Sequence, residues 1–194
     1  MNLIERVKNI LITPKTEWDV INGETATPQS LLMSYVLPLA VVAAVGSLIK
    51  GLLFAGGFGL KYFIITGVIA FIASVVSYYL SVIIIDMLAP SFGSEKDMNK
   101  SAQLVAYSGT PSYIGGLLSF IPVIGFLVSL AAWAYGIYLM YLGIGPLKKT
   151  PEDKKVIYMV VAFLIMIVLY FILVAILGAI LFAAIGVSAG GLLR

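Results

Sequence analysis

From Val156 to Gly186 the chain carries no charged residue and no Ser, Thr, Asn or Gln. A helix that crosses a bilayer needs roughly 20 such residues, because the hydrocarbon is about 30 Å thick and a helix rises 1.5 Å per residue. Three further stretches meet that length: Leu31–Phe54, Tyr62–Leu88 and Val123–Gly145. A fifth, Ser101–Ile121, is weaker, with a polar first turn and with Gly109, Pro111, Gly115 and Gly116 inside it. The expected fold is an all-α, polytopic transmembrane helix bundle of about five spans over residues 31–194. An interfacial amphipathic segment over residues 1–30 precedes it.

Composition agrees: 61% of the residues are hydrophobic and 11% charged, against about 25% charged in soluble domains. Cysteine and histidine are both absent. Thiolate chemistry and thiolate metal sites are therefore excluded, along with the commonest general base and metal ligand. The net charge of +3 does not suggest nucleic acid, and no cofactor is expected. The opening residues are not expected to be a secretory signal, since Glu5 interrupts them before any continuous apolar core forms.

Basic residues give an orientation. With five spans and a cytoplasmic N-terminus, Arg6, Lys8, Lys15, Lys96, Lys100, Lys148, Lys149, Lys154 and Lys155 fall inside, and only Lys50, Lys61 and Arg194 outside. The C-terminus is then outside, and the expected location is a bacterial-type cytoplasmic (inner) membrane. If Ser101–Ile121 is instead re-entrant, four helices span and the Lys148–Lys155 cluster moves outside. The connections carry helix-start signals. Thr27-Pro28 precedes the first span, and Thr150-Pro151-Glu152-Asp153 reads as N-cap, N1 and an acidic first turn before the last. Pro122 marks a tight antiparallel turn between the third and fourth segments.

In the first thirty residues, Leu3, Ile4, Val7, Ile10 and Leu11 recur at helical spacing, with Glu5, Arg6, Lys8 and Asn9 opposite. This predicts an amphipathic helix at the membrane surface. Thr13-Pro14 ends it and starts a second short helix carrying Trp18 and Ile21. Trp18 is expected at headgroup depth, as a surface anchor or as part of a docking surface for a cytosolic partner.

Two charged residues fall within the spanning segments, and such groups are functional candidates. Lys50 lies near the outer end of the first span and Asp86 near the inner end of the second, so they cannot pair. A short carboxylate snorkels poorly, so Asp86 needs a donor from a nearby Tyr, Ser or Lys. Small residues four apart predict close helix packing: Ala43, Ser47, Gly51; Thr66, Ala70, Ser74; Ala73, Ser77, Ser81; and Ala175, Ala179, Ala183. Lining a pore is the other reading of the Ser rows. Gly109 and Pro111 interrupt a helix, which is either a tolerated kink or a mid-membrane site. Tyr135, Tyr138 and Tyr141 read as an interfacial belt, and Trp133 as a packed residue nearer the membrane centre.

The chain resembles the Yip family of Ypt/Rab-interacting membrane proteins, in its bacterial form. The resemblance is carried by Pro14, Trp18 and Ile21 before the first span, and by Tyr107-Ser108-Gly109-Thr110-Pro111. It is also carried by Phe120-Ile121-Pro122-Val123-Ile124-Gly125, and by Tyr138 to Gly143 before a basic loop. It implies five spans and a cytosolic N-terminus. Eukaryotic members of Golgi and ER membranes bind Rab GTPases and one another in vesicle traffic. The Asp-Leu-Tyr-Gly-Pro form of the central motif is missing here.

With no carboxylate pair and no base beside a serine in the spans, a non-enzymatic scaffold or interaction protein is expected. Its candidate contact residues are Pro14, Trp18, Asp86, Tyr107, Gly109, Pro111, Pro122, Lys148 and Lys149. Lys148, Lys149, Lys154 and Lys155 would face a cytosolic partner or anionic headgroups, each gaining about 1 kcal/mol there. Expected partners are the bilayer, a second copy or other membrane proteins, and a cytosolic protein. The alternative is a transporter or channel subunit acting as an oligomer, with Asp86, Tyr107 and the Gly109–Pro111 break along its path.

Overall fold

The computed structural model describes residues 2–54 and 60–185, and the side chains of these except 50, 51, 54, 60–66, 181, 182, 184 and 185. The side chains of Lys50, Gly51, Lys61 and Thr66, and all of Arg194, lie outside the described set. Among the described residues there is no strand. Four helices are long and apolar enough to cross a bilayer: Pro28–Ile49, Gly67–Phe92, Ile124–Lys148 and Glu152–Ile180.

In chain order the elements are α1 (Leu3–Ile12), α2 (Pro14–Gly23), α3 (Pro28–Leu31), α4 (Leu37–Phe54) and α5 (Leu60–Leu88). They continue as α6 (Met98–Ser108), α7 (Thr110–Leu117), α8 (Ile124–Lys148) and α9 (Glu152–Ile185). A π-helical turn, Leu32–Val36, joins α3 to α4, and a short 3-10 turn, Ala89–Phe92, follows α5. The start at Thr27 is as expected. Its side chain accepts from the Ser30 N–H, Ser30 returns the bond, and Pro28 opens the first turn. The start at Thr150 is different. The Thr150 hydroxyl donates back to the Ile144 carbonyl at 3.1 Å and accepts from Ser94 at 2.9 Å. It closes the end of α8 against the loop before α6, and does not cap α9.

The weak fifth segment is two helices. Proline at 111 has no N–H to give the Tyr107 carbonyl, and the Thr110 hydroxyl takes that place at 2.7 Å. The freed acceptor is thus satisfied locally, as a tolerated kink requires. Together α6 and α7 run antiparallel to α8. Ser108 faces Gly136, Gly115 lies against Ala132, and Leu118 approaches Gly125. At the far end Lys148 reaches Asp97. The pair 97–118 therefore accompanies α8 along its length.

Pro122 does make the hairpin turn. Val123 there has φ 60° and ψ −60°, and Ile124 N–H donates to the Pro122 carbonyl at 2.6 Å, a γ-turn geometry that is strained for a β-branched residue.

The tightest helix contact is between α4 and α7. A Cβ on Gly46 would stand 2.4 Å from the carbonyl oxygens of Gly116 and Leu117. The small-residue rows are a correction. Ala43 does touch Gly116, but Ser47 and Ala70 are exposed, and Ala175, Ala179 and Ala183 face outward from α9. Ser77 and Ser81 line a space of about 140 Å³ beside Met166 and Tyr170. Trp133 is a second correction: it is not closely packed but 55% exposed, at the edge of a space it lines with Gly109 and Met166.

The buried core sits at one end of the molecule. It joins Ile10, Trp18 and Ile21 to Tyr35, Ile85, Leu104, Leu139, Ile144 and Tyr158. At this end α2 packs on α8 and accepts hydrogen bonds from Lys100 and Gln103 of α6, α1 is held by Tyr135, and the close of α5 packs on α6 and α9. We call it the head.

Candidate functional site: the polar head

Asp86 and Lys148 come together here, at the ends of α5 and α8. Lys148 Nζ donates to Asp86 Oδ1 at 3.1 Å, to Ser101 Oγ at 2.7 Å and to the Asp97 carbonyl at 3.0 Å. Its side chain is wholly buried, and that of Asp86 nearly so. All three ammonium protons are used, which is what a buried cation requires. Ser101, in the first turn of α6, also donates to Asp86 at 3.1 Å or to the Asp97 carbonyl at 2.9 Å. The Tyr158 hydroxyl of α9 donates to the Ile85 carbonyl beside it. Asp86 has found the Ser and the Lys it needed.

That pairing corrects the reading of the basic loop. Lys148 is the bolt of the head and cannot meet headgroups or a partner. Lys155 is also largely buried and donates to Glu152 at 2.6 Å. Only Lys149 and Lys154 are open to the surroundings, with Lys149 on Glu95 at 2.7 Å. Asp86, expected at a polar surface or along a path, is instead 2% exposed and paired.

The second cluster is one the sequence reading missed. Arg6, assigned to the outer polar face of α1, is 4% exposed. Its guanidinium donates to Glu17 and, at 2.5 Å, to both carboxylate oxygens of Glu24. It lies 5.2 Å from the Tyr107 ring centroid. Helical spacing on α1 alone cannot reveal this, because the carboxylates are on α2 and just after it. The signals available were the place of Arg6 between Leu3 and Ile10 on the apolar stripe, and three acids, Glu17, Asp19 and Glu24, within the next 18 residues.

Trp18 is likewise buried, at 1% exposure, and its indole N–H has no partner among the described residues. It is no headgroup anchor. Its ring sits on Gly143 of α8, where a Cβ would come within 2.7 Å of it, and edge-on to Tyr107 at 6.3 Å. Tyr107 meets Tyr35 edge-on at 4.8 Å, and Tyr35 hydrogen-bonds Thr110 at 2.7 Å. Tyr135 donates to the Leu11 carbonyl at 2.8 Å, so one member of the expected aromatic belt holds α1 in place. Tyr138 and Tyr141 remain partly exposed.

Pro14 opens α2, Pro111 is buried at the start of α7, and Gly109 lies beside Ser81, Ser108 and Ser112 around a space of about 170 Å³. Pro122 is at the opposite end of α8 from Lys148. The head thus gathers Trp18, Asp86, Tyr107 and Lys148, and leaves Pro122 remote. Its charged groups hold one another, and its chemistry is that of a clasp between helix ends.

An all-helical bundle with four span-length apolar helices and a polar, internally paired head is an integral, polytopic membrane protein. The Yip1 domain family matches residues 8–176, and the chain belongs to that family. No curated protein and no solved structure matches it. Three of the four stretches that carried the resemblance meet in space, since Trp18 touches both Tyr107 and Gly143; Phe120–Gly125 lies at the other end of α8.

Proposed function

We propose that the chain is a non-enzymatic membrane scaffold whose head faces the cytoplasm and docks another protein. The observation that carries this is the head itself. Charged groups that could do chemistry there are consumed in ion pairs, Arg6 joining α1 to Glu17 and Glu24 and Lys148 joining the ends of α5 and α8, and Lys100, Gln103 and Tyr135 tie α1 and α2 to the bundle through backbone carbonyls, which fixes a surface outside the bundle. Lys8, Lys15, Asp19, Lys149 and Lys154 stand exposed on it. Burial of Lys148 and Lys155 takes two charges from that surface.

The accompanying topology is five spans, N-terminus inside and C-terminus outside, in a cytoplasmic membrane. It is supported by the loops on either side of α6–α8. Glu95 N–H donates to the Lys148 carbonyl at 2.8 Å, and Ser94 meets Thr150. Two loops in contact share one side of a membrane, so α6–α7 and α8 make one full excursion and return. About 20 residues of α6–α7 suffice for roughly 30 Å.

The test is photo-crosslinking in cells from probes at Lys8, Lys15 and Lys149. A scaffold gives a discrete protein adduct at one or more of these, lost when the two lysines not carrying the probe are replaced by Glu. Adducts to lipid alone at every position contradict it. A second reading, a conducting oligomer, draws on the hydroxyl-lined space beside the Gly109 break. It requires that Ser112→Leu change solute flux in liposomes.

A further inference from the structure

Two adjoining spaces lie beneath the head, where α8 and α9 part. Helix α9 packs mainly on α5, and α8 on α6 and α7, so these two consecutive helices leave a cleft between them. One space, of about 170 Å³, is bounded by Ser81, Ser112, Trp133, Met140 and Phe163. The other, of about 140 Å³, runs past Ser77, Leu169 and Leu173. Ser81 and Met166 belong to the walls of both. An apolar cavity of about 150 Å³ takes a benzene-sized ring, so either space has room for one.

Two features give the cleft its chemistry. No charged side chain lines it, while aromatic and thioether groups do. Three hydroxyls on its walls also make no hydrogen bond among the described residues. Ser74 and Ser129 turn back on to a carbonyl of the preceding turn, a common resting place for a serine in a helix. Ser77, Ser81 and Ser112 do not, and open on to the cleft instead. A hydroxyl kept from water without a partner is unfavourable, so an acceptor that enters is held.

From this arrangement we infer that the cleft binds a lipid-soluble quinone, a neutral flat ring with carbonyl oxygens on a hydrocarbon tail. The ring lies in the larger space against Trp133, Phe163 and the thioethers of Met140 and Met166, contacts that suit a flat unsaturated face. Its carbonyls accept from Ser81 of α5 and Ser112 of α7. The tail follows the smaller space past Leu169 and Leu173 to the lipid. A phospholipid headgroup is disfavoured, because nothing in these walls answers its charges, and a plain hydrocarbon leaves the hydroxyls unpaired. Apolar walls with a few convergent polar groups are the usual make-up of a small-molecule site. Binding alone is inferred, with no electron transfer, and it does not rest on the docking of a protein.

The experiment titrates the full chain, purified in detergent, with decylubiquinone and follows tryptophan emission. Trp133 borders the larger space, whereas Trp18 sits in the head on Gly143. The wild type is expected to show a saturable quenching step. In Trp133→Phe that step is absent, and Trp18 is quenched only in proportion to the quinone in the micelle. Ser81→Ala with Ser112→Ala removes both donors without filling the cleft and should raise the half-saturating concentration by about tenfold or more, with Trp18 emission reporting that the head is intact. An excess of n-decane leaves the quinone in place. Quenching that never saturates in the wild type overturns the inference. So does a saturable step that survives in Trp133→Phe, or one with an unchanged midpoint in the double alanine variant. Displacement by n-decane makes the cleft a place for hydrocarbon alone and overturns it as well.

Discussion

Lys148 carries the heaviest consequence of any single residue. Removing it leaves Asp86 charged and buried, and breaking one side of a buried pair costs about 3–5 kcal/mol. Lys148→Ala should therefore lower the thermal midpoint of the purified protein sharply. The double change Asp86→Asn with Lys148→Met removes both charges and should recover most of the loss; equal damage from single and double variants would disprove the pairing. Val123 is the opposite case. Its positive φ stores about 1–3 kcal/mol, so Val123→Gly should raise the midpoint, net of glycine's entropic cost of roughly 0.5–1 kcal/mol. Asp86 could be read from the sequence as a group in need of a donor, because its depth and short side chain follow from its place in the apolar run. Which donor it takes could not, since Lys148 is 62 residues away and sits among three other lysines of equal promise. Arg6 and Trp18 were misjudged for a common reason. Each was placed by residue type and not by position, yet Arg6 stands between Leu3 and Ile10, and Trp18 beside Ile21, on the one covered face of its helix.

Among the elements, α4 and α7 depend on absence of side chain. With backbone carbonyls 2.4 Å from any Cβ at Gly46, Gly46→Leu forces the helices apart. We expect a loss of about 1–3 kcal/mol, the usual cost of overpacking, seen as a lowered midpoint and as faster proteolysis within α7. Gly46→Ala should fall between. Legibility at this scale was good for α5, α8 and α9, whose length and apolarity leave no other structure open to them, and for the Pro122 turn. It was poorer for helix contacts. Rows of small residues identify surfaces on which helices are able to approach closely, yet Ala175, Ala179 and Ala183 face outward. Their spacing holds no information about where the neighbouring helix lies. The start of α9 was misread for a similar reason. A Thr-Pro-acid run suits a cap, but Thr150 had a better bond available across the loop, to Ser94 and Ile144.

For the molecule as a whole, the chain's lack of cysteine makes its topology unusually open to test. Ser94 and Thr150 oxygens are 2.9 Å apart, so Ser94→Cys with Thr150→Cys should oxidise to an intramolecular disulfide, given the short reach such a bond needs. Failure under mild oxidant would place the two loops apart and restore the re-entrant arrangement. Single cysteines at Lys96 and Lys149 should resist an impermeant reagent added outside, while one at Arg194 should react. Lys149 serves as the probe of its loop because it is open, whereas its neighbour Thr150 is buried. The lysine asymmetry of the sequence and the contact of the two loops point to the same side, although two of those lysines prove to be structural.

The seat of Trp18 on Gly143 also sets a schedule. The ring is synthesised 125 residues before the glycine that receives it, a delay of roughly 6–25 s at ordinary translation rates. For all that time Trp18 and Arg6 are without their final neighbours on α6 and α8. A ribosome stalled anywhere before the end of α8 holds a chain whose first two helices have nowhere to go.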